Sequence, residues 1–143
     1  MTAFEPIAAD RILLQQPPFR YVDELIFYKD GLTRTRFTVP SENMLVEEGR
    51  FTAAGVMEHM AQSSAARIGF ESKYIHNIPV QIGFIGQIKN FEMIRFPRSG
   101  ETLETEVKTE YEMMGITLAS ITVYIDGEPV ARSQLKTALK QDE

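Results

Sequence analysis

Hydrophobic and polar residues alternate strictly over residues 103–112 of this chain. One side of the alternation carries Leu103, Thr105, Val107, Thr109 and Tyr111, and the other carries Glu104, Glu106, Lys108, Glu110 and Glu112. Successive side chains of a β-strand point to opposite faces, so this pattern predicts a strand with one face in solvent.

Other segments show weaker strand patterns with turn residues between them. Strands are predicted over about residues 19–29, 32–39, 80–96, 116–125 and 129–139. The dipeptides Asp30-Gly31 and Asp126-Gly127 are typical of tight hairpin turns, because both residues tolerate a positive φ. The strands are therefore expected to pair antiparallel, with a loop over residues 40–50.

One long helix is predicted within residues 49–70, with Thr52 as a plausible N-cap. A helical period places Glu58, Gln62 and Ala65 on one side, among small and apolar residues. A carboxyl group in such surroundings is a candidate general acid or base, because burial moves a carboxyl pKa towards neutrality. Glu58 is therefore the first candidate for a catalytic residue.

Composition narrows the choice of fold class and of possible functions. The chain has 143 residues, 43% of them hydrophobic, which suits a single α+β domain over residues 1–143 with a short N-terminal tail of about ten residues. It has no cysteine and only two histidines, so we expect no metal and no cofactor. The net charge of -5 argues against nucleic-acid binding. The sequence shows no apolar stretch that would span a membrane and no basic, then apolar leader, so a cytoplasmic location is expected.

Four segments, in this order and spacing, resemble one family. They are LLQQPPFRYVDELI, GVMEHMAQSSA, IGQIKNFEMIRFPRSGETL and DGEPVARSQLKTAL. The chain is similar over nearly its whole length to hotdog-fold 3-hydroxyacyl-thioester dehydratases of the FabZ and FabA type. The resemblance implies an antiparallel sheet of about five or six strands wrapped around one long central helix. It also implies a homodimer or a higher oligomer of dimers, with the acyl chain in a tunnel between subunits.

The same resemblance implies a reaction and a set of residues. In this family, water is removed from a 3-hydroxyacyl chain on acyl carrier protein to give a trans-2-enoyl thioester. Glu58 corresponds to the acid on the helix, and Gln62 to the glutamine one turn later. The N–H groups of Ala54 and Gly55 lie where the thioester carbonyl would be polarised. In the strand after the helix, Phe84 and Gly86 are expected to contact the substrate.

The chain departs from the family in the loop before the helix, where a histidine is usual. The corresponding loop reads SENMLVEEGRFTAAG, and Met44 stands near the position of the histidine. Methionine cannot transfer a proton, so other residues are candidates for the missing base: His59, His76, Glu47 and Glu48. Each has an ordinary structural alternative, such as a histidine satisfied at the helix flank or a solvated acidic loop.

A segment in the middle of the chain is basic, although the chain as a whole is acidic. Residues 88–99 hold Lys89, Arg95 and Arg98 against one acid, Glu92. Because acyl carrier protein is acidic, these three residues are candidates for docking it by electrostatic attraction. Basic residues beside a strand are also ordinary surface chemistry.

Three functions remain open from the sequence. The first is an active dehydratase of fatty-acid or polyene-type lipid synthesis that uses Glu58. The second is a non-catalytic subunit that binds acyl carrier protein or joins an active dehydratase in a hetero-oligomer, because the loop histidine is missing. The third is an acyl thioesterase, since hotdog relatives also hydrolyse thioesters. A fold by itself does not choose among them.

Overall fold

One α-helix packs against a large antiparallel sheet in the computed structural model, which describes residues 4–139. The helix α1 spans Ala53–Phe70. The strands are β1 (Ile7–Ala8), β2 (Glu24–Lys29), β3 (Leu32–Thr38), β4 (Val46–Glu47), β5 (Arg50–Phe51), β6 (Gly83–Met93), β7 (Thr102–Met113), β8 (Ile116–Ile125) and β9 (Glu128–Leu139). A 3-10 turn follows β1 at Ala9–Arg11, and a π-helical turn follows α1 at Glu71–Ile75.

The main sheet has seven strands in the order β1-β2-β3-β7-β8-β9-β6, and every neighbouring pair is antiparallel. The prediction of an α+β hotdog domain is confirmed. The alternation in β7 is confirmed as far as Lys108, because Leu103, Thr105 and Val107 are buried whereas Glu104 and Lys108 are exposed. Beyond it the prediction is wrong, because a bulge between Thr109 and Tyr111 interrupts the pairing and Tyr111 is 47% exposed.

Two predicted boundaries differ from the structure. β2 begins at Glu24 rather than near Phe19, because Tyr21 directs its backbone N–H and C=O to side chains of α1 rather than to a neighbouring strand. At the N-terminus, Ile7 and Ala8 pair with Leu25 and Glu24, so part of the predicted tail belongs to the sheet.

The loop predicted over residues 40–50 contains the short hairpin β4–β5. Its turn is Glu48-Gly49, and both residues have positive φ angles, of 51° and 74°. Val46 pairs with Phe51, whose ring is fully buried under the start of α1. The hairpin therefore anchors the chain just before the helix begins.

The contact between helix and sheet is partly polar. His59, Ser63 and Arg67 recur every four residues of α1 and are all buried. His59 and Ser63 bond to threonines on the inner face of the sheet, at 2.6 and 2.8 Å. This face of the helix was not predicted, because its residues read as polar in the sequence. Within residues 4–139, no helix is long and apolar enough to cross a membrane.

The edge strand β6 is poorly covered on the helix side of the sheet. Ile85 and Ile88 pair with the buried inner-face residues Thr137 and Leu135, so they share that face. They nevertheless remain 44% and 39% exposed. A long edge strand with exposed isoleucines is a surface that another chain commonly covers.

Candidate functional site

Glu58 lies on the least buried stripe of α1 and is held by its neighbour one turn later. The Nε2 group of Gln62 donates to Glu58 Oε1 at 2.8 Å. The same nitrogen donates to the carbonyl oxygen of Phe19 at 2.8 Å, and Gln62 Oε1 accepts from the N–H of Tyr21 at 2.6 Å. Gln62 is itself almost fully buried. The carboxylate is therefore oriented by a glutamine that cannot easily turn.

The start of α1 offers backbone donors beside this acid. Thr52 caps the helix by accepting the N–H of Gly55 at 3.1 Å, so that N–H is engaged in the protein. The first N–H groups of a helix have no helical carbonyl four residues before them. The N–H groups of Ala53 and Ala54 are therefore available to a ligand. Ala54 and Glu58 are four residues apart and share one side of the helix. Of the two donors expected from the sequence, the N–H of Gly55 serves the cap, which leaves that of Ala54.

Gly55 has a steric role of its own. A Cβ atom at this position would lie 2.3 Å from Cε1 of Phe51. The glycine therefore lets the buried ring pack directly against the first turn of α1.

His59 points into the core, away from Glu58. Its Nδ1 lies 2.6 Å from the carbonyl oxygen of Tyr21, and its Nε2 lies 2.6 Å from the hydroxyl of Thr105. Complete burial lowers its pKa to about 4, against a small opposing effect of the Tyr21 hydrogen bond. A neutral imidazole with both nitrogens occupied has no free atom for a substrate.

His76 lies at the opposite end of the helix from Ala54. It stands eighteen residues after Glu58, roughly 25 Å along a helical path at ~1.5 Å per residue. Its side chain lines a small cavity of about 70 Å³ together with Arg67, Glu71 and Glu112. Within one chain, His76 and Glu58 do not share a site.

Glu47 and Glu48 line an open cleft of about 700 Å³ at the N-terminus of α1. Arg50, Thr52, Ala53 and Phe96 complete its lining. The structure thus places Glu47 beside the open helix donors, and Glu58 is not part of the same lining. Glu47 and Arg50 are backbone partners across the hairpin, and their side chains form no ion pair in the described residues.

Met44 is 61% exposed, and its neighbours are held in place. Asn43 Oδ1 accepts from the Tyr21 hydroxyl at 2.7 Å and from the N–H of Leu45 at 2.9 Å. Sequence reasoning missed Tyr21 and Asn43, since neither belongs to a local motif and they stand 22 residues apart.

The two candidate substrate contacts on β6 differ in position. Phe84 pairs with Ala138, which pairs with the exposed Ile116, so Phe84 lies on the face turned away from the helix. Gly86 is the extra residue at a bulge between Ile85 and Gln87. The apolar side chains of β6 on the helix side are therefore Ile85 and Ile88 rather than Phe84.

The three candidate docking residues are not equivalent. Arg95 donates to both carboxylate oxygens of Glu101, at 2.8 and 3.0 Å, and this hydrogen bonding raises the pKa of Arg95 and lowers that of Glu101. Lys89 and Arg98 are exposed and form no ion pair within residues 4–139. The backbone of Arg98 forms an isolated antiparallel β-bridge with that of Arg50, one of the residues that line the cleft. Lys89 and Arg98 are thus the two candidates without an ion pair in this range, although the charge of Arg98 also contributes to the lowered pKa of Glu101.

The described part of the chain contains no group of three His, Asp or Glu side chains that could hold a metal ion.

Several solved structures have the same fold. A chain of the dehydratase heterocomplex ApeI:P from Xenorhabdus doucetiae superposes with a TM-score of 0.85 at 15% identity, over 95% of this chain and 93% of that one. A hypothetical thioesterase from Streptococcus pneumoniae, solved with coenzyme A, gives 0.64 at 11% identity, over 83% and 86%. The protein smu.793 from Streptococcus mutans, bound to acetyl CoA, gives 0.67 at 14% identity, over 92% and 98%. These likenesses show the fold alone.

Sequence comparison is more specific than the fold. No curated protein sequence matches the chain. A family model described as ApeP-like, ApeP dehydratase, matches residues 7–143, which is nearly the entire chain and includes both Glu58 and Gln62. The chain belongs to the ApeP-like dehydratase family.

Proposed function

We propose that this protein binds acyl thioesters of acyl carrier protein and interconverts their 3-hydroxyacyl and trans-2-enoyl forms, with Glu58 as the proton-transfer group. The observation that carries the proposal is the fixed carboxylate of Glu58, oriented by Gln62 one helical turn from the open N–H of Ala54. A dehydratase needs such a pair, because removing the proton beside the thioester places negative charge on the carbonyl oxygen.

The proposed reaction balances with one carboxyl group. The Glu58 carboxylate takes the proton from C2 of the substrate, and the electrons of that C–H bond form the C2–C3 double bond as the C3–O bond breaks. The carboxylic acid so formed gives its proton to the departing hydroxyl, which leaves as water. The N–H groups of Ala53 and Ala54, at the positive end of the helix dipole, stabilise the charge on the thioester oxygen.

The acyl chain needs a second subunit to be enclosed. Ile85 and Ile88 of β6 are on the helix side of the sheet but are not covered by α1. We propose that β6 pairs with the corresponding strand of another hotdog subunit and that the acyl chain lies between the subunits. Because the similar X. doucetiae structure is of a dehydratase heterocomplex, ApeI:P, the partner is proposed to be either a second copy or a related dehydratase.

A non-catalytic partner subunit is the second candidate, and one observation favours it. The exposed Met44 stands near the loop position at which dehydratases of the FabZ and FabA type carry a histidine. His59, which follows Glu58 on α1, is buried in the core with both ring nitrogens hydrogen-bonded. In this alternative the chain binds thioesters or stabilises an active partner but does not turn substrate over. No contact in the described residues favours a thioesterase over these two functions.

The test measures hydration and dehydration of acyl-carrier-protein thioesters by wild type and two variants. Glu58→Gln keeps the shape of the side chain but removes its ionisable group, so turnover should fall by ~10² or more. Glu104→Gln removes an exposed acid from the outer face of β7 and serves as the control, with turnover unchanged. Turnover that survives Glu58→Gln would exclude Glu58 from the reaction.

The partner-subunit alternative has its own outcome. Wild type would then bind thioesters without turnover, and Met44→His would produce activity that depends on Glu58. A wild type that is active without a histidine at this position, and that loses its activity in Glu58→Gln, would instead show that Glu58 performs both proton transfers.

A further inference from the structure

Tyr21 connects α1 to the loop in front of it through three hydrogen bonds. Its N–H donates to Gln62 Oε1 at 2.6 Å, its carbonyl oxygen lies 2.6 Å from His59 Nδ1, and its hydroxyl donates to Asn43 Oδ1 at 2.7 Å. All three partners are 22 or more residues away in sequence. One residue outside any strand thus joins the helix to the loop that contains Met44.

Asn43 uses its remaining groups to hold the same loop. Its Oδ1 also accepts the N–H of Leu45 at 2.9 Å, and its Nδ2 donates to the carbonyl oxygen of Pro18 at 3.0 Å. Met44 lies between two residues that are both bonded, so its backbone is fixed although its side chain is exposed.

The other end of the connection is Glu58. Gln62 accepts from Tyr21 and donates to Glu58, so an unbroken series of hydrogen bonds runs from Glu58 through Gln62 and Tyr21 to Asn43. We call these four residues the Tyr21 network. The Tyr21 network ends at Glu58 on the helix and at Asn43, the residue before Met44, in the loop.

Packing makes the Tyr21 network rigid. The Tyr21 ring is 2% exposed and lies against Phe37 and Phe51, with centroids 5.8 and 5.9 Å apart. Burial raises the pKa of Tyr21, although the bond to Asn43 opposes this effect and the nearby Glu58 adds to it. The phenol therefore stays protonated and remains a donor to Asn43 throughout the neutral range.

We propose that Tyr21 and Asn43 are positioning residues: through Gln62 they fix the Glu58 carboxylate relative to the loop that carries Met44. The inference rests on the proposed function, since that function assigns the proton transfer to Glu58. Tyr21 is buried, so it acts through Gln62 and Asn43 rather than by touching substrate.

The experiment uses Tyr21→Phe, which removes only the hydroxyl, and Asn43→Ala. In both variants we expect kcat to fall about tenfold with KM unchanged, which is the loss expected when one hydrogen bond no longer supports the transition state. Tyr28→Phe is the matched control. It removes a hydroxyl bonded to Glu71 at the other end of α1, and it should leave kcat unchanged.

Hydrogen exchange gives a readout that needs no activity. The amide of Leu45, which Asn43 binds, should exchange at least tenfold faster in Tyr21→Phe, while amides in the centre of β8 keep their rates. A Tyr21→Phe protein with normal Leu45 exchange and normal turnover would overturn the inference even if Glu58→Gln abolishes turnover. Conversely, if Glu58→Gln is fully active the proposed function fails, and Leu45 exchange still decides whether Tyr21 holds the loop.

Met44→His tests the same geometry in the opposite direction. In the wild-type background, the new imidazole stands on the loop that the Tyr21 network holds, and turnover should rise. In the Tyr21→Phe background, the increase should be at least several times smaller. Equal increases in both backgrounds would contradict a positioning role for Tyr21.

Discussion

The Nδ1 atom of His59 lies 2.6 Å from the carbonyl oxygen of Tyr21. Since a carbonyl oxygen only accepts, Nδ1 carries the proton, and Nε2 accepts from the Thr105 hydroxyl in the neutral ring. The imidazole therefore joins the segment before β2 to the centre of the sheet. Because the imidazole is buried, the native state disfavours its protonated form.

His59 makes the stability of the fold depend on pH. Burial lowers its pKa from 6.5 to about 4, so between these values the unfolded chain binds a proton that the native state does not. Above about pH 6.5 His59 is neutral in both states, and the free energy of unfolding is not reduced by it. As the pH falls, the free energy of unfolding decreases, by about 3 kcal/mol near pH 4. Urea unfolding over this range should show the loss. An NMR titration in which the His59 ring takes up its proton near pH 6.5 would contradict it.

Carrier-protein docking should depend on Arg98 more than on Arg95. Glu101 already neutralises Arg95, whereas Arg98 has no ion pair within residues 4–139. Arg98→Gln should lower the association rate with acyl carrier protein severalfold at low salt and have little effect at high salt.

The matched control for docking is the double variant Arg95→Gln with Glu101→Gln. It removes both charges of the pair, leaves the local net charge unchanged, and should keep the wild-type association rate. A larger loss in the double variant than in Arg98→Gln would show that the Arg95–Glu101 pair itself forms the docking contact.

Subunit pairing should depend on the helix-side face of β6. Ile88→Glu places a charge on an apolar surface that the partner is proposed to cover, and an unpaired buried charge costs several kcal/mol. Sedimentation velocity should then show single chains at concentrations where wild type is paired. Gln87→Glu adds the same charge to the same strand but on the other face, so pairing should persist. Paired Ile88→Glu would place the interface elsewhere.

Local patterns were sufficient to predict the helix and the six longer strands, but not β1 or the β4–β5 hairpin. The alternation in β7 and the Asp-Gly turns reflect backbone preferences that act within a few residues. The position of Glu58 one turn before Gln62 follows from the helical period, and the structure contains the hydrogen bond that this spacing allows.

The environment of each helix residue was harder to predict. Glu58 and His59 are neighbours, and the sequence indicates only that their side chains diverge by ~100°. It does not indicate that the histidine is the one taken into the core, because its partners, Tyr21 and Thr105, lie 38 and 46 residues away.

The sequence by itself determined the elements, the antiparallel pairing and the candidate acid, since these depend on periodicity, turn chemistry and the residues within one helical turn. Only the tertiary structure decided that His59 is sealed, that Arg95 is neutralised and that Tyr21 links Glu58 to Asn43. Each of these depends on where the chain returns in space and on burial, which strengthens a hydrogen bond and forbids an unpaired charge.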